Sequence, residues 1–270
     1  MNHGPVVLVH GWKSRPAIWD RLVERLERQS YPCWNFDHSR MKGASLEDIA
    51  GALRDYIRSR REETGYAGCL DIICHSMGTC VARYMLEVLD GDSMEEKARQ
   101  LIGIGPPNNG SSLAELFCHP EHGKNIIDRL AGVFVPHGYD PAGDLIVQQF
   151  RPESGAMTRL KAAGTRRDIR YRVIVAANTT KSQNFFPSFE GRTLELDPEG
   201  GLETTYSGDG IVPHTDSFLP AAEISVLPAD PGLLALCPDM YCHINLPRNP
   251  EVIDRIMDLL SDEKTASAED

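Results

Sequence analysis

The sequence predicts an α/β protein built on a mainly parallel, doubly wound sheet. Short apolar stretches recur along the chain, and stretches whose apolar residues repeat at helical spacing separate them. Val6–Val9 is apolar at each position, as expected of a parallel strand buried on both faces, and Leu70–Ile73 is a second, predominantly apolar run. The same signal predicts strands at Cys33–Asp37, Leu101–Ile104, Tyr171–Ala177 and Ile224–Leu227, and a further strand at Thr193–Leu196.

The helices between these strands are predicted from apolar stripes and from end signals. Ile18, Leu22 and Leu26 mark the first helix. Ser45, followed three residues later by Asp48, predicts the N-cap of the second. A last helix is expected after Asn249–Pro250, with Val252, Ile253, Ile256, Met257 and Leu260 facing the core.

Residues 112–165 interrupt the alternation of strand and helix. Leu113–Phe117, Ile126–Val135 and Leu145–Phe150 predict short helices separated by turns. Their apolar residues fall on more than one face, which suits a helical insert that covers something apolar. We therefore expect residues 1–270 to form a single domain that carries this insert.

Composition excludes several classes of partner. The chain has 28 basic and 39 acidic residues, a formal charge of −11, and no basic run, so no nucleic-acid partner is expected. No apolar run approaches the ~20 residues of a membrane span. Because the N-terminus leads straight into a predicted strand, no signal peptide is expected. The seven cysteines contain no Cys-x-x-Cys pair and are interpreted as reduced thiols of a cytoplasmic protein, with a Cys237–Cys242 bridge as the alternative.

Ser76 stands at a junction of the kind that exposes a nucleophile. It follows the strand Leu70–Ile73, precedes a stretch with helical spacing, and has the small residues Cys74 and Gly78 two positions away on either side. Strand, sharp turn and helix with a serine at the apex form a nucleophile elbow. Cysteine replaces the first glycine of the usual Gly-x-Ser-x-Gly pattern, and an ordinary serine N-cap is the alternative. The neighbouring His75 is expected to point away from Ser76.

A serine hydroxyl needs a base, and the base needs a carboxylate to orient it. Among the nine histidines, His243 lies between the last strand and the last helix, where a loop can reach the carboxyl edge of the sheet. Asp209, in a glycine-flanked turn, is the favoured acid, with Asp216 and Asp197 as alternatives. The chain order Ser76, Asp209, His243, with nucleophile, acid and base in turn, is one of the orders found in the triads of serine hydrolases.

An acyl-transfer transition state also needs two amides for its oxyanion. Met77, directly after the candidate nucleophile, supplies the first. Trp12 is placed for the second, because it follows His10–Gly11 at the end of the first strand.

These motifs together resemble the bacterial and archaeal lipase/esterase branch of the α/β-hydrolases. The resemblance extends over residues 5–260 and rests on Val6–Trp12, His75–Gly78, Gly105–Ser111, Gly208–Pro213 and His243. It implies the α/β-hydrolase fold, in which residues 112–165 form a helical lid over an acyl pocket. Cys74, Thr79 and Pro106 depart from the family pattern.

The expected function is hydrolysis of carboxylic esters through a Ser76–His243–Asp209 triad and an acyl-enzyme. The substrate is expected to be a small-molecule ester with an apolar acyl group, with no cofactor and no metal. A thioesterase or acyltransferase would use the same groups, and a non-catalytic ligand-binding protein is the alternative from another class. Cys118–His122 contains potential metal ligands, but no further ligand follows at a recognised spacing, so a solvated lid turn is expected there.

Overall fold

A six-stranded parallel sheet forms the centre of the molecule. The computed structural model describes residues 3–197, 199–220 and 222–262. The sheet has the strand order β2-β1-β3-β4-β5-β8, and every neighbouring pair is parallel. Its strands are β1 (Val6–Val9), β2 (Cys33–Phe36), β3 (Leu70–His75), β4 (Ala98–Ile104), β5 (Arg170–Ala176) and β8 (Ala222–Leu227), while β6 (Thr193–Leu196) and β7 (Leu202–Thr205) form a separate antiparallel hairpin.

The helices lie in two groups against this sheet. The α-helices are α1 (Asp20–Arg28), α2 (Leu46–Thr64), α3 (Met77–Arg83), α4 (Ser112–Phe117), α5 (Gly123–Leu130), α6 (Leu145–Gln149), α7 (Gly155–Ala163), α8 (His214–Ser217), α9 (Gly232–Leu236) and α10 (Pro250–Ser261). A π-helical turn, Tyr84–Leu89, continues α3, and it packs with α2 and α7. In the second group, α1 and α10 both contact the short helix Leu246–Arg248. This arrangement agrees with the predicted doubly wound α/β class.

Burial follows the predicted strand pattern. All four residues of β1 are fully buried, which is the burial expected of a central parallel strand. Asp71 of β3 is buried too, and its carboxylate accepts hydrogen bonds from Gln100 and Arg99 of β4. These donors compensate the cost of removing a charge from water.

The helix α2 begins with the predicted capping residues. Ser45 and Asp48 form a reciprocal capping box, in which each side chain accepts from the other residue's main-chain amide. The helix ends at Gly65, whose φ of 69° is left-handed. The predicted N-cap is confirmed.

Four helices, α4 to α7, connect β4 to β5. Three of them correspond to the expected short helices, although the one expected over Ile126–Val135 ends at Leu130. The chain turns there because Gly132 has a left-handed φ of 78°. The sequence did not predict α7 as a separate helix, and β7 was likewise not expected. No helix within the described ranges is both long and apolar enough to cross a membrane.

All seven cysteines are free thiols, so the alternative bridge between Cys237 and Cys242 is not formed. The cytoplasmic location stays a prediction.

Candidate active site

Ser76 occupies a strained turn between β3 and α3. Its φ is 53° and its ψ is −129°, a conformation that residues with a side chain rarely adopt. Its main-chain amide donates to the carbonyl of Ile104 at 2.9 Å, and its own carbonyl accepts from Thr79 at 3.0 Å. These bonds hold the turn between two central strands and the start of α3. The side chain is partly exposed and lies on the wall of a pocket.

The small residue two positions after Ser76 is required by contact with β1. A Cβ atom on Gly78 would lie 2.5 Å from the carbonyl oxygen of Val9 and 2.6 Å from that of His10. The elbow helix therefore packs directly on the end of the first strand. Cys74, two positions before Ser76, is fully buried.

His243 and Asp209 meet at the carboxyl edge of the sheet. His243 Nδ1 lies 2.7 Å from Asp209 Oδ2, and both side chains are buried. The other carboxylate oxygen of Asp209 accepts the amides of Ile211 at 3.1 Å and Val212 at 2.7 Å. Because the carboxylate accepts, Nδ1 carries the proton and Nε2 is the basic nitrogen. Within the described ranges, His243 Nε2 is buried and has no hydrogen-bond partner.

The main chains of these two residues are joined as well. The amide of His243 donates to the carbonyl of Asp209 at 2.8 Å, and the amide of Asp209 donates to Val212 at 3.2 Å. Gly210, which lies in the turn between Asp209 and Val212, donates its main-chain amide to the hydroxyl of Thr193 in β6 at 2.8 Å. Main-chain and side-chain bonds together fix the imidazole relative to the carboxylate.

Gly105 lies directly against the side chains of Asp209 and His243. Its φ is 54°, and a Cβ atom there would lie 2.6 Å from Asp209 Oδ2 and 3.1 Å from His243 Nδ1. The end of β4 thus passes so close to the two side chains that only glycine fits.

His75 lies against His243, a contact that the sequence did not predict. The two rings are 4.6 Å apart between centroids, and His75 Nε2 donates to the main-chain carbonyl of His243 at 3.0 Å. Burial, followed by the nearby His243, lowers the pKa of His75 well below its usual value. His75 is therefore neutral, and its hydrogen bond and ring contact help to fix the segment that carries His243.

The loop after β1 is held by two stacked histidines. The rings of His10 and His38 are 3.8 Å apart. His10 Nδ1 bonds to the Gly11 carbonyl at 3.0 Å, and His38 Nε2 bonds to the His10 carbonyl at 2.9 Å. Burial lowers both pKa values, that of His38 to about 4, so both rings are neutral near pH 7. They fix the backbone that leads to Trp12.

An apolar pocket opens beside Ser76. Its free volume is only about 50 Å³, and aromatic and aliphatic side chains, most of them from the segment between β4 and β5, line it. The lining includes Trp12, Met77, Phe117, Phe134, Ile146 and Phe150. Phe134 also lies edge-on to His243, with 6.2 Å between ring centroids.

The two alternative acids lie elsewhere. Asp216 accepts the amide of Ser112 at 2.7 Å and its hydroxyl at 2.8 Å, at the start of α4. Burial raises the pKa of Asp216 to about 7. Asp197 accepts the amide of Gly201 at 2.7 Å in the turn between β6 and β7. The structure therefore brings His243 together with Asp209.

The Cys118–His122 segment forms a local turn. The rings of His119 and His122 stack at 4.6 Å, and His119 Nδ1 accepts the amide of Glu121 at 3.2 Å. Among the described residues, no three potential ligands of the His, Cys, Asp or Glu type converge on one point.

Comparisons with known proteins agree with this fold. A family model described as lipase (class 2) matches residues 3–128, somewhat less than half of the chain. The match supports a hydrolase acting on esters. No curated protein matches the chain.

Solved structures of similar fold cover nearly all of the chain. The mature lipase BlEst2 of Bacillus licheniformis has a TM-score of 0.66 and 18% identity over 96% of this chain and 92% of that one. A metagenomic carboxyl esterase has a TM-score of 0.60 and 15% identity over 97% and 76%. Phospholipase PlaB of Legionella pneumophila has a TM-score of 0.58 and 15% identity over 96% of this chain and 60% of that one. By its sheet, its helices and these matches, the chain has the α/β-hydrolase fold.

Proposed function

We propose that the protein is a serine hydrolase that cleaves carboxylic esters through an acyl-enzyme, with Ser76 as nucleophile, His243 as base and Asp209 as the orienting acid. The observation that carries the proposal is the 2.7 Å contact between His243 Nδ1 and Asp209. This contact leaves the opposite nitrogen of the ring basic, and the histidine packs beside the strained serine turn.

The proposed chemistry follows from these protonation states. His243 Nε2 takes the proton of Ser76 as its hydroxyl oxygen attacks the ester carbonyl carbon. The buried Asp209 carboxylate stabilises the imidazolium that forms. His243 then returns the proton to the departing alkoxide, which leaves as an alcohol. A water molecule, deprotonated by the same nitrogen, attacks the acyl-enzyme and releases the acid.

The oxyanion would be held by the amides of Met77 and Trp12. Met77 is the first residue of α3, where an amide has no acceptor within the helix and the positive end of the helix dipole lies. Trp12 follows the backbone that the His10–His38 pair fixes. A rigid donor of this kind contributes roughly 3–4 kcal/mol to the chemical step.

The apolar pocket would receive the acyl group, and residues 112–165 would act as its lid. Phe117, Phe134 and Phe150 of this segment line the pocket next to Ser76. Because the free volume is only about 50 Å³, an acyl chain of more than a few carbons requires the lid helices to shift.

A thioester or an acyl acceptor other than water would use the same groups, so thioesterase and acyltransferase activities remain alternatives. A protein that only binds an apolar ligand is the alternative without catalysis. The buried, hydrogen-bonded Asp209–His243 pair favours the enzyme, because a binding protein gains nothing from desolvating it.

A fluorophosphonate probe tests the proposal directly, since it reacts with activated serines. We expect labelling of the wild-type protein and none of Ser76→Ala. The matched control is Ser59→Ala, which removes an exposed serine of α2 and should label as the wild type does. Equal labelling of Ser76→Ala, or no labelling of a folded wild-type protein, would refute the serine mechanism. Nitrophenyl esters of increasing acyl length then measure the size of the acyl site.

A further inference from the structure

A second, larger cleft begins at the loop that follows β1. Its free volume is about 430 Å³, and it shares Trp12, Met77 and Ile146 with the apolar pocket. The residues proposed to hold the oxyanion thus form the wall between the two cavities. The apolar pocket is lined almost entirely by carbon, whereas the second cleft has a mixed lining, in which hydroxyls and charged groups stand beside apolar side chains.

The cleft carries an excess of positive charge. Lys13, Arg15 and Lys42 line it, against the single carboxylate of Asp144. That carboxylate lies 3.2 Å from Lys13 and is thereby neutralised. An adjoining depression, which shares Arg15 and Lys42 with the cleft, adds Arg40.

Apart from Lys13, these cations lack partners among the described residues. Across the described ranges, the side chains of Arg15, Arg40 and Lys42 are exposed and form neither a salt bridge nor a hydrogen bond. Asp37 also lies in the depression and accepts the main-chain amide of Ser39 at 2.9 Å, and its single negative charge leaves the three cations in excess. In a chain with a formal charge of −11, unpaired cations grouped around one cleft mark a place where an anion is favoured.

The buried histidines of the cleft do not change this balance. His10 and His38 lie on its inner wall, but each uses a ring nitrogen on a backbone carbonyl of the loop after β1. Both rings are neutral near pH 7, because burial lowers their pKa values. The charge of the cleft therefore comes from the lysine and arginine side chains at its rim.

The position of the cleft assigns it to one part of an ester. At the tetrahedral carbon formed by serine attack, the acyl chain and the alcohol oxygen point away from each other. If the acyl chain enters the apolar pocket, the ester oxygen stays beside His243, which protonates it. The rest of the alcohol part then extends past Trp12, Met77 and Ile146, the residues that the pocket shares with the cleft. We propose that the cleft is the alcohol subsite and selects esters whose alcohol part carries a phosphate. This inference rests on the proposed function and names its substrate class.

The test compares two esters that differ only in charge. 1-Butyrylglycerol and 1-butyrylglycerol 3-phosphate have the same acyl group, and the ratio of their kcat/KM values isolates the phosphate. We expect a ratio of about ten or more in favour of the phosphate ester at low salt. The ratio should fall toward one as ionic strength rises, because exposed charges are screened.

Two paired variants locate the effect. Arg15→Gln combined with Lys42→Gln should lower the ratio about ten-fold, since each exposed ionic contact changes binding by up to about five-fold. The control combines Lys97→Gln with Arg167→Gln, which removes two exposed cations that do not line the cleft and should retain the wild-type ratio. The same measurement with dodecanoyl esters distinguishes two sources of the phosphate. A higher kcat/KM for the dodecanoyl phosphate ester indicates a phospholipid, and a higher kcat/KM for the butyryl phosphate ester indicates a water-soluble phosphate ester.

The outcomes separate the inference from the proposed function. A wild-type ratio near one, or a double cleft variant that retains the wild-type ratio, overturns the alcohol-subsite assignment while leaving ester hydrolysis intact. A wild-type protein that cleaves neither ester and whose Ser76 is not labelled refutes the proposed function itself.

Discussion

Adding a methyl group to Gly105 should disable the candidate site while leaving the fold in place. A Cβ atom at this position would lie 2.6 Å from Asp209 Oδ2 and 3.1 Å from His243 Nδ1. Both atoms belong to the one hydrogen bond that orients the imidazole. The backbone at this end of β4 has little freedom to retreat, because the Gly105 amide donates to the Ile174 carbonyl of β5 at 2.9 Å.

The magnitude has two parts. The first is conformational: the left-handed φ of 54° costs an alanine roughly 1–2 kcal/mol of stability. The second is catalytic. Displacing the carboxylate from the imidazole removes the group that sets the tautomer, an effect of up to about 10⁴-fold in kcat in a serine protease. Since a methyl group displaces the carboxylate without removing it, we expect Gly105→Ala to lower kcat by about 10²–10⁴-fold.

The assay is steady-state hydrolysis of a short nitrophenyl ester, with thermal unfolding measured on the same preparations. The matched control is Gly65→Ala, because Gly65 has a φ of 69° and open space around its missing Cβ. Gly65→Ala should lose similar conformational stability and keep its activity. If Gly105→Ala retained more than about a tenth of the wild-type kcat, the Asp209–His243 contact would not be the orienting element that we infer.

Three further changes test neighbouring contacts. His75→Leu removes the donor to the His243 carbonyl, and should lower kcat two- to ten-fold with little change in KM. His75→Gln, which can still donate a hydrogen bond, should recover part of this loss. An unchanged kcat in His75→Leu would show that the contact is only structural. Asp216, whose pKa burial raises to about 7, stabilises the fold fully below pH ~4, and this contribution, at most about 4 kcal/mol, is lost as pH rises to ~7. Asp216→Asn, which can still bond to Ser112, should abolish that slope in denaturation at pH 5 and pH 8; an equal slope in both proteins would contradict the assignment. Glu87→Gln leaves the buried arginine of α3 uncompensated, and should lower Tm by about 10 °C in calorimetry, from a loss of roughly 3–5 kcal/mol; a shift under 2 °C would show that the ion pair contributes little.

The central strands and helix ends could be predicted from the sequence because their signals are local. The apolar stretch Val6–Val9 forms a fully buried strand, and Ser45 and Asp48 cap α2 as expected. By contrast, β7 (Leu202–Thr205) has a single apolar residue, and it is a strand only because β6 pairs with it. Such an element depends on its partner rather than on its own pattern.

In the candidate site, too, some features follow from local sequence patterns and others from contacts between residues remote in sequence. Asp209 and His243 could be chosen from their positions after strands, and the structure places them in contact, while their catalytic roles stay a prediction. The interpretation of His75 was incomplete, because its bond to His243 joins residues 168 positions apart. The need for glycine at position 105 likewise arises from side chains that are remote in sequence. A single sequence holds no local pattern for contacts of this range.

Asp209 and His243 are fastened to each other twice, once through their side chains and once through the His243 amide and the Asp209 carbonyl. The two loops therefore behave mechanically as one part. For protein engineering, the exchangeable module is the pair of loops. Grafting either loop alone onto another scaffold would break both links, whereas transferring the two together would keep the Asp209–His243 geometry intact.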